Sequence, residues 1–292
     1  MVLSVACIIP THGRPSDLRR ALDSVASQIP LPNEIIVVDD MNDEPTKQVV
    51  DSFQGVGPTV RLVRPGDDTV RRSAGTSRNL GASVATSEFL AFLDDDDYWA
   101  PNYLSAVAGV LESSEVPLVF AALSVVNNGN EVGRRLPDLG LKDSDVVSIN
   151  PGVTGSNITI AADLFRQLGG YDEDLPVYND LDFLLRCLET GAAYGVAPTA
   201  LAYQVTSGAE HLSSRSARRA AGIAKYRDKY RHRLQAADSR RLRRDIAVAN
   251  RFHDQRPHLK AAYLVITLIN SDLLDILRFL KRVSTKRTAD YG

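Results

Sequence analysis

The chain runs Phe89-Leu-Ala-Phe-Leu-Asp94-Asp95-Asp96-Asp97-Tyr-Trp99 between residues 89 and 99. The first five residues are apolar, which predicts a short strand that is buried on both faces. Four aspartates follow where this strand ends. Hard carboxylate oxygens suit Mg²⁺ or Mn²⁺, and a cation would offset the repulsion between neighbouring carboxylates. A solvated acidic turn is the other interpretation, and this stretch alone leaves both open.

Before residue 89, strand-like and helix-like segments alternate. Apolar runs predict strands at 3–9, 34–38 and 59–63. Apolar residues in helical spacing predict helices at 15–28, 46–53 and 77–85. Strands joined by helices form a mostly parallel sheet, and ligands bind beyond the carboxyl ends of its strands. Thr11-His12, Asp39-Asp40 and the four aspartates follow three of these strands, so we expect them to meet at one edge.

Beyond residue 99 the pattern continues and then changes in character. Further strands are predicted at 117–126 and 196–205, and helices at 163–168 and 181–189. Residues 132–151 predict a loop-rich segment. From residue 213 onward the sequence becomes helical and basic. We therefore expect an α/β domain over 1–210 and a basic helical extension over 211–292.

The charge of the chain is divided in the same way. Residues 1–210 carry 14 Lys and Arg against 29 Asp and Glu, whereas residues 211–292 carry 20 against 7. The two cysteines, Cys7 and Cys187, offer neither a disulfide framework nor a metal spacing, which is typical of a cytoplasmic protein. No apolar run approaches the roughly 20 residues that span a bilayer, so the chain is expected to be soluble or peripheral.

Seven motifs occur in an order that resembles a known family. They are Ile8-Ile-Pro-Thr-His-Gly-Arg14, Glu34-Ile-Ile-Val-Val-Asp-Asp40, Ser77-Arg-Asn-Leu-Gly81, Phe92-Leu-Asp-Asp-Asp-Asp97, Gly155-Ser-Asn157, Gly169-Gly-Tyr-Asp-Glu173 and Asn179-Asp-Leu-Asp-Phe-Leu-Leu-Arg186. Together they closely resemble the family 2 glycosyltransferases of the GT-A fold, over about residues 3–210. The fold that the resemblance implies is Rossmann-like, with a mostly parallel central sheet flanked by helices.

The resemblance implies an inverting, metal-dependent glycosyltransferase. Such an enzyme moves a sugar from a nucleoside-diphosphate sugar to a hydroxyl of an acceptor. The resemblance to the family favours UDP as the nucleotide. Asp94 and Asp96 match the DxD motif that holds Mn²⁺ or Mg²⁺, with Asp96 as the direct ligand. Because four aspartates are consecutive, the alignment with the motif is ambiguous and Asp95 could take the place of one of them. The implied nucleotide-sugar site consists of Pro10, Thr11, His12, Arg14, Asp39, Asp40, Arg78, Asp94 and Asp95. His12 stands where the family usually has tyrosine, and Met41-Asn42 where it often has glycine and serine.

Asp180 matches the catalytic base of the family, although Asn179 replaces the usual glutamate before it. A helix N-cap or a first-turn acid is the alternative role for Asp180, and Asp182 fits that role better. The residues implied for the acceptor side are Trp99, Gly155, Ser156 and Asn157. Weaker candidates for the site are Arg71, Arg72 and His211.

The basic extension predicts a second kind of partner. Arginines and lysines are attracted to anionic lipid headgroups, and an apolar helical stripe can lie in a membrane interface. The stripe consists of Val265, Ile269, Leu273, Ile276, Leu277, Leu280 and Val283, with Arg278, Lys281 and Arg282 beside it. The stripe could equally pack on the protein core or on a second subunit of a homo-oligomer. We expect a glycan or lipid-linked acceptor and a cytoplasmic enzyme, peripheral on the inner face of the cell membrane.

Three other functions remain as alternatives from the sequence. A nucleotidyltransferase would need a glycine-rich phosphate loop after the first strand, and Thr11-His-Gly-Arg14 is a poor substitute. A sugar-nucleotide-binding protein without catalysis would have no need of both the acidic cluster and Asp180. Nucleic-acid binding is not expected, because the extension lacks zinc ligands and RNA-binding aromatic patterns.

Overall fold

The computed structural model describes residues 3–55, 57–66, 73–206 and 216–271. Contacts within the chain divide it into two compact units, Met1–His211 and Leu212–Gly292. The first unit contains the strands and the second is helical. The separate functional roles expected of these two parts remain predictions.

The described strands of the first unit pair in one mixed sheet. They are β1 (Val5–Thr11), β2 (Glu34–Asp39), β3 (Thr59–Val63), β4 (Phe89–Phe92), β5 (Tyr98–Trp99), β6 (Leu118–Asn127), β7 (Asn130–Arg135), β8 (Ile158–Ala161) and β9 (Gly195–Val205). Their order is β3-β2-β1-β4-β8-β6-β9-β5, and β7 pairs with β6. All residues of β1, β2 and β4 are buried, as continuous apolar strands predict.

The direction of the strands decides where the site lies. β1 pairs in parallel with β2 and β4, and β2 pairs in parallel with β3. β8 is antiparallel to both β4 and β6, so β6 runs in the same direction as the first four strands. β9 is parallel to β6. Six strands therefore end at the same edge of the sheet, which confirms the predicted α/β architecture and its mostly parallel sheet.

Helices connect these strands. They are α1 (Pro15–Ala26), α2 (Glu44–Asp51), α3 (Ala74–Val84), α4 (Tyr103–Ser114), α5 (Ala162–Gln167) and α6 (Asn179–Glu189), with a 3₁₀ turn at Asp143–Asp145. α1 begins with Pro15, whose fixed φ suits the first helical position. Asp43 and Ser73 cap α2 and α3 by accepting from backbone N–H groups three residues on. α1 buries Leu18, Ala21, Leu22 and Val25, the stripe that its spacing predicts.

Three strands depart from the sequence prediction. β5, with two residues, and β8, with four, were not predicted. Helix α4 was not predicted either. β7 occupies the start of the segment predicted as loop-rich, and all six of its residues are exposed. Its sequence lacks the apolar alternation by which a half-buried strand is detected.

In the second unit, α7 (Ala217–Lys229), α8 (Ala236–His253) and α9 (Pro257–Ile269) follow one another, with α7 against α8 and α8 against α9. Within α9, the predicted stripe residues Val265 and Ile269 are 53% and 72% exposed. The remainder of that stripe, from Leu273 to Val283, lies outside the described residues. Among the described helices, none combines the length and the apolar character that a membrane span requires.

Candidate active site

The ends of β1 and β4 meet directly at the carboxyl edge of the sheet. Thr11 Oγ1 donates to Asp95 Oδ2 at 2.8 Å, and the His12 backbone N–H donates to the same oxygen at 3.4 Å. Arg14 Nη1 lies 2.7 Å from Asp96 Oδ2 and 3.3 Å from Asp95 Oδ1. Pro10 is buried within β1, beside Val38 of β2. The structure thus brings the residues after the first and fourth strands together.

The two aspartates at the carboxyl end of β2, Asp39 and Asp40, have different surroundings. Asp39 is fully buried, and its carboxylate accepts from the backbone N–H groups of Met41, Asn42 and Asp43 at 2.9–3.1 Å. Asp40 Oδ1 lies 2.6 Å from His12 Nδ1, and the histidine side chain is largely exposed. Asp39 therefore stabilises the turn, whereas Asp40 and His12 form a pair that solvent reaches.

The four aspartates of 94–97 divide into two groups. Asp94, Asp96 and Asp97 each offer a carboxylate oxygen, and these three oxygens lie within 4.8 Å of one another. Asp95 faces Thr11 and Arg14 instead, and its burial, with Asp96 beside it, raises its pKa to about 7. Three hard oxygens at this spacing fit the donor set that Mg²⁺ or Mn²⁺ prefers. The predicted pair Asp94 and Asp96 is thus close enough to share a cation.

Asp97 joins this group although the sequence did not single it out. It accepts from Ser156 Oγ at 2.5 Å and from the Val205 backbone N–H at 3.0 Å. Burial, together with the charges of Asp96 and Asp94, raises the pKa of Asp97 well above its ordinary value. Asp97 therefore links the acidic turn to β9 and to the loop before β8. The four consecutive aspartates were the only sequence signal for a role of Asp97, and they do not indicate which way each side chain points.

Arg78 lies between the acidic turn and the candidate base. It is 2% exposed, it pairs with Asp94, and its Nη1 lies 3.4 Å from Asp180 Oδ1. Its guanidinium carbon also lies 5.0 Å from the centre of the Tyr171 ring. The sequence predicted a nucleotide contact for Arg78. In the structure this side chain joins two carboxylates that are 86 residues apart.

Asp180 lies in the first turn of α6, whose N-cap is Tyr178, so Asp180 does not cap the helix. Its side chain is 23% exposed. Burial raises the pKa of Asp180 to about 6, while Arg78 and a hydrogen bond from the Gly155 backbone act to lower it. Asp182, in contrast, is fully buried and pairs with Arg186 at 2.9 Å; it lies in the first turn of α6 and does not cap the helix. Asp180 thus keeps some access to solvent and has a pKa suited to proton transfer, whereas solvent does not reach Asp182.

The residues predicted for the acceptor side hold the floor of the site together. Trp99 is 2% exposed, its Nε1 donates to the Ser156 carbonyl at 2.8 Å, and its ring stacks on Tyr103. Ser156 Oγ accepts from the Asp94 backbone N–H at 3.1 Å. Asn157 Nδ2 donates to the Ala121 and Gly152 carbonyls at 2.8 Å. These side chains lie beneath the acidic turn, and contact with an acceptor stays a prediction for them.

Three weaker candidates cannot be placed in this arrangement. Arg71, Arg72 and His211 lie outside the described residues. The described part of the site already contains arginines that offset the acidic turn: Arg14 and Arg78 pair with its carboxylates, and Arg20 Nη2 donates to the Asp96 carbonyl at 2.6 Å.

Solved structures with a similar fold include S. aureus TarS 1-349 in complex with UDP-GlcNAc. The two chains are 20% identical, the TM-score is 0.60, and the likeness covers 92% of this chain and 72% of TarS. At this identity the likeness shows the fold.

Curated relatives are glycosyltransferases. An uncharacterized glycosyltransferase of Haemophilus influenzae is 28% identical over 189 residues, which are 63% of this chain and 62% of the relative. The UDP-Glc:alpha-D-GlcNAc-diphosphoundecaprenol beta-1,3-glucosyltransferase of Escherichia coli is 25% identical over 130 residues, or 44% of this chain and 49% of the relative. The matched region thus covers less than two thirds of either relative.

The family model for glycosyl transferase family 2 matches residues 6–156. The matched residues include β1 from Ala6 onward, β2 to β4, the acidic turn and the loop before β8 as far as Ser156. Since this match spans more than half of the sequence, the chain belongs to glycosyl transferase family 2.

Proposed function

We propose that this chain is an inverting, metal-dependent glycosyltransferase with a nucleoside-diphosphate sugar as donor. The observation that carries the proposal is the position of Arg78, which pairs with Asp94 on one side and Asp180 on the other. The Asp180 carboxylate, which is suited to proton transfer, thereby lies on the opposite side of the Arg78 guanidinium from the acidic turn. UDP is the expected nucleotide, and the name of the Escherichia coli relative supports it.

The proposed reaction needs a base on the acceptor side. Asp180 takes the proton of the acceptor hydroxyl as the oxygen forms a bond to the anomeric carbon. The bond from that carbon to the diphosphate oxygen breaks, and its electron pair leaves with the nucleoside diphosphate. With a pKa of about 6, Asp180 is largely ionised at pH 7 and still basic enough to accept a proton. One displacement of this kind inverts the anomeric carbon.

The proposed donor site uses the other strand ends. Asp94 and Asp96 would hold Mn²⁺ or Mg²⁺, which supplies Lewis-acid stabilisation of the departing diphosphate. Arg14 lies beside Asp96 and offers a second positive charge there. His12, presented by Asp40, offers an exposed ring on which a nucleoside base can stack.

A lipid-linked or surface glycan is the proposed class of acceptor. The Escherichia coli relative is named for a diphosphoundecaprenol acceptor. The second unit combines exposed basic side chains with the exposed apolar residues Val265 and Ile269, which together suit an anionic bilayer surface. We therefore propose a cytoplasmic enzyme that works at the inner face of the membrane. Self-association stays a prediction.

Release of nucleoside diphosphate tests the reaction. The wild-type chain is incubated with UDP-, GDP- and dTDP-sugars and Mn²⁺ or Mg²⁺, with and without diphosphoundecaprenol-linked sugars. Asp96→Asn and Asp180→Asn are assayed beside it. We expect one donor to be consumed in a metal-dependent way and both variants to lose at least about 100-fold in rate.

Asp163→Asn is the matched control, because Asp163 is highly exposed on α5 and pairs with Arg166, three residues along the same helix. It should retain the wild-type rate. The proposal fails if no donor binds or turns over, or if Asp180→Asn transfers sugar as fast as the control.

A further inference from the structure

We propose that Gly155 is a positioning residue, because the absence of a side chain at this position allows Arg78 to lie between Asp94 and Asp180. The inference rests on the proposed function, in which Asp180 is the base and Asp94 belongs to the donor site. It assigns Gly155 a role different from the acceptor contact that the sequence predicts.

The space beside Gly155 is filled by Arg78. A Cβ placed on Gly155 would overlap Nη2 and Cζ of the guanidinium and would lie 2.7 Å from its Nε. Among the glycines between residues 13 and 195 of the described ranges, this is the closest approach to a neighbouring atom. Gly155 does not have a positive φ, so the glycine is needed for space and not for backbone conformation. Any other residue at 155 would displace the guanidinium or the loop.

The guanidinium has little freedom to move aside. Arg78 is almost fully buried, its two Nη atoms pair with Asp94 and Asp180, and the Tyr171 ring lies on another side. Its Nε is buried and has no hydrogen-bond partner among the described residues. The Cα of Gly155 lies next to this atom.

The loop that carries Gly155 is also held firmly. The Thr154 backbone N–H donates to Asn157 Oδ1 at 2.8 Å, and Asn157 Nδ2 donates to the Ala121 and Gly152 carbonyls. The Gly155 backbone also lies near enough to the Asp180 carboxyl to act on its pKa, which it lowers. One residue thus contacts both members of the Arg78–Asp180 pair, and an added methyl group would force them apart.

The two roles of Gly155 predict different kinetics. If Gly155 positions Arg78, Gly155→Ala lowers kcat by about 100-fold, because a displacement of about 1 Å has such an effect on a catalytic group. The KM values for donor and acceptor should then change less than about threefold. If Gly155 instead contacts the acceptor, the acceptor KM rises and kcat stays near that of the wild type.

A double-mutant cycle tests whether the methyl group acts through Arg78. The variants are Gly155→Ala, Arg78→Ala and the double substitution, and each is measured for kcat, KM, UDP affinity and urea unfolding midpoint. Arg78→Ala removes the three atoms that would lie nearest to the Cβ. In the presence of Arg78, we expect Gly155→Ala to lower both kcat and the urea unfolding midpoint. In the Arg78→Ala background, the same substitution should change kcat by less than about twofold and the midpoint by less than about 0.2 M.

Gly109→Ala is the control, since a Cβ on that exposed position of α4 meets nothing within 4 Å. If Gly155→Ala does not fold, recovery of a folded protein in the double variant supports the proposal. Equal losses with and without Arg78 would overturn it, and so would an increase of acceptor KM alone. If the wild type transfers no sugar, the proposed function fails, while the unfolding midpoints still decide whether Gly155 acts through Arg78.

Discussion

At the scale of single residues, the acidic turn shows what a sequence can and cannot specify. The four aspartates predict a cluster at a strand end, and the structure places them there. Which carboxylates converge could not be predicted, because the chain turns after β4 and the alternation of side chains along a strand no longer applies. Asp95 faces Thr11, while Asp97 reaches Ser156 and Val205, which are distant in sequence.

The pKa of Asp180 leads to a prediction about pH. Burial raises this pKa to about 6, and the proposed base acts only when it has lost its proton. The rate should therefore fall as the pH decreases below about 6, and the logarithm of the rate should fall by one unit per pH unit, as expected for one proton. A profile of kcat/KM between pH 4.5 and 8 measures this limb, and a rate that is unchanged down to pH 4.5 would exclude Asp180 as the base.

The grouping of Asp94, Asp96 and Asp97 predicts the effect of a single substitution on metal binding. Asp96→Asn removes a charged oxygen from the cluster, so Mn²⁺ affinity should fall by more than about tenfold. Titration calorimetry with Mn²⁺ and UDP measures the change. Asp163→Asn should bind as the wild type does, and an unchanged affinity in Asp96→Asn would place the cation elsewhere.

At the scale of elements, most long apolar strands and amphipathic helices were predicted to within a few residues, because each carries its own periodicity. Helix α4 was missed, although it buries Tyr103, Leu104, Val107 and Leu111. Short strands that depend on their neighbours were not. β7 could have been found from its turn, since Asn128 and Gly129 both have positive φ and Asn-Gly is the preferred sequence for such a hairpin. β5 has two residues and exists because β9 pairs with it.

Glu34 at the start of β2 holds this strand to the turn before β4. Its Oε1 accepts from the backbone and hydroxyl groups of both Thr86 and Ser87 at 2.7–3.1 Å. Replacement by alanine leaves these donors unsatisfied, so Glu34→Ala should lower the free energy of unfolding by about 2 kcal/mol. Urea unfolding measures the loss, and the exposed Glu44→Ala on α2 is the control.

The same contacts make this contribution depend on pH. Burial acts to raise the pKa of Glu34, but the hydrogen bonds from Ser87 and Thr86 outweigh it and hold the pKa below its ordinary value. The contribution is therefore complete above the ordinary pKa of glutamate and is lost as the pH falls through the lowered value. The difference between wild type and Glu34→Ala should shrink below about pH 4. A difference that persists unchanged in acid would contradict this assignment.

At the scale of the whole molecule, the division of charge is the clearest feature that the sequence predicts. The balance is acidic over residues 1–210 and basic over 211–292. Its functional meaning could not be read from the residues alone, because a basic helical surface suits a bilayer, another subunit or the solvent equally well.

Vesicle binding distinguishes these outcomes. We expect the full chain to bind vesicles that contain phosphatidylglycerol, to bind neutral vesicles less, and to be released as salt shortens the Debye length from about 10 Å to about 3 Å. Val265→Ser with Ile269→Ser should weaken binding, since both residues are exposed on α9. Val132→Ser, at an exposed residue of β7, is the control. Equal binding to neutral and anionic vesicles would contradict the proposed surface.

The position of β8 between β4 and β6 has a consequence for how the chain folds during synthesis. β4 is complete at residue 92, yet its neighbour on one side begins at residue 158. Until that segment leaves the ribosome, Phe89–Phe92 is an apolar strand with an open edge, the kind of surface on which nascent chains aggregate. The family model ends at residue 156, just before β8. Residues 6–156 therefore contain β4 without the strand that pairs along its second edge, and the segment that follows completes the sheet.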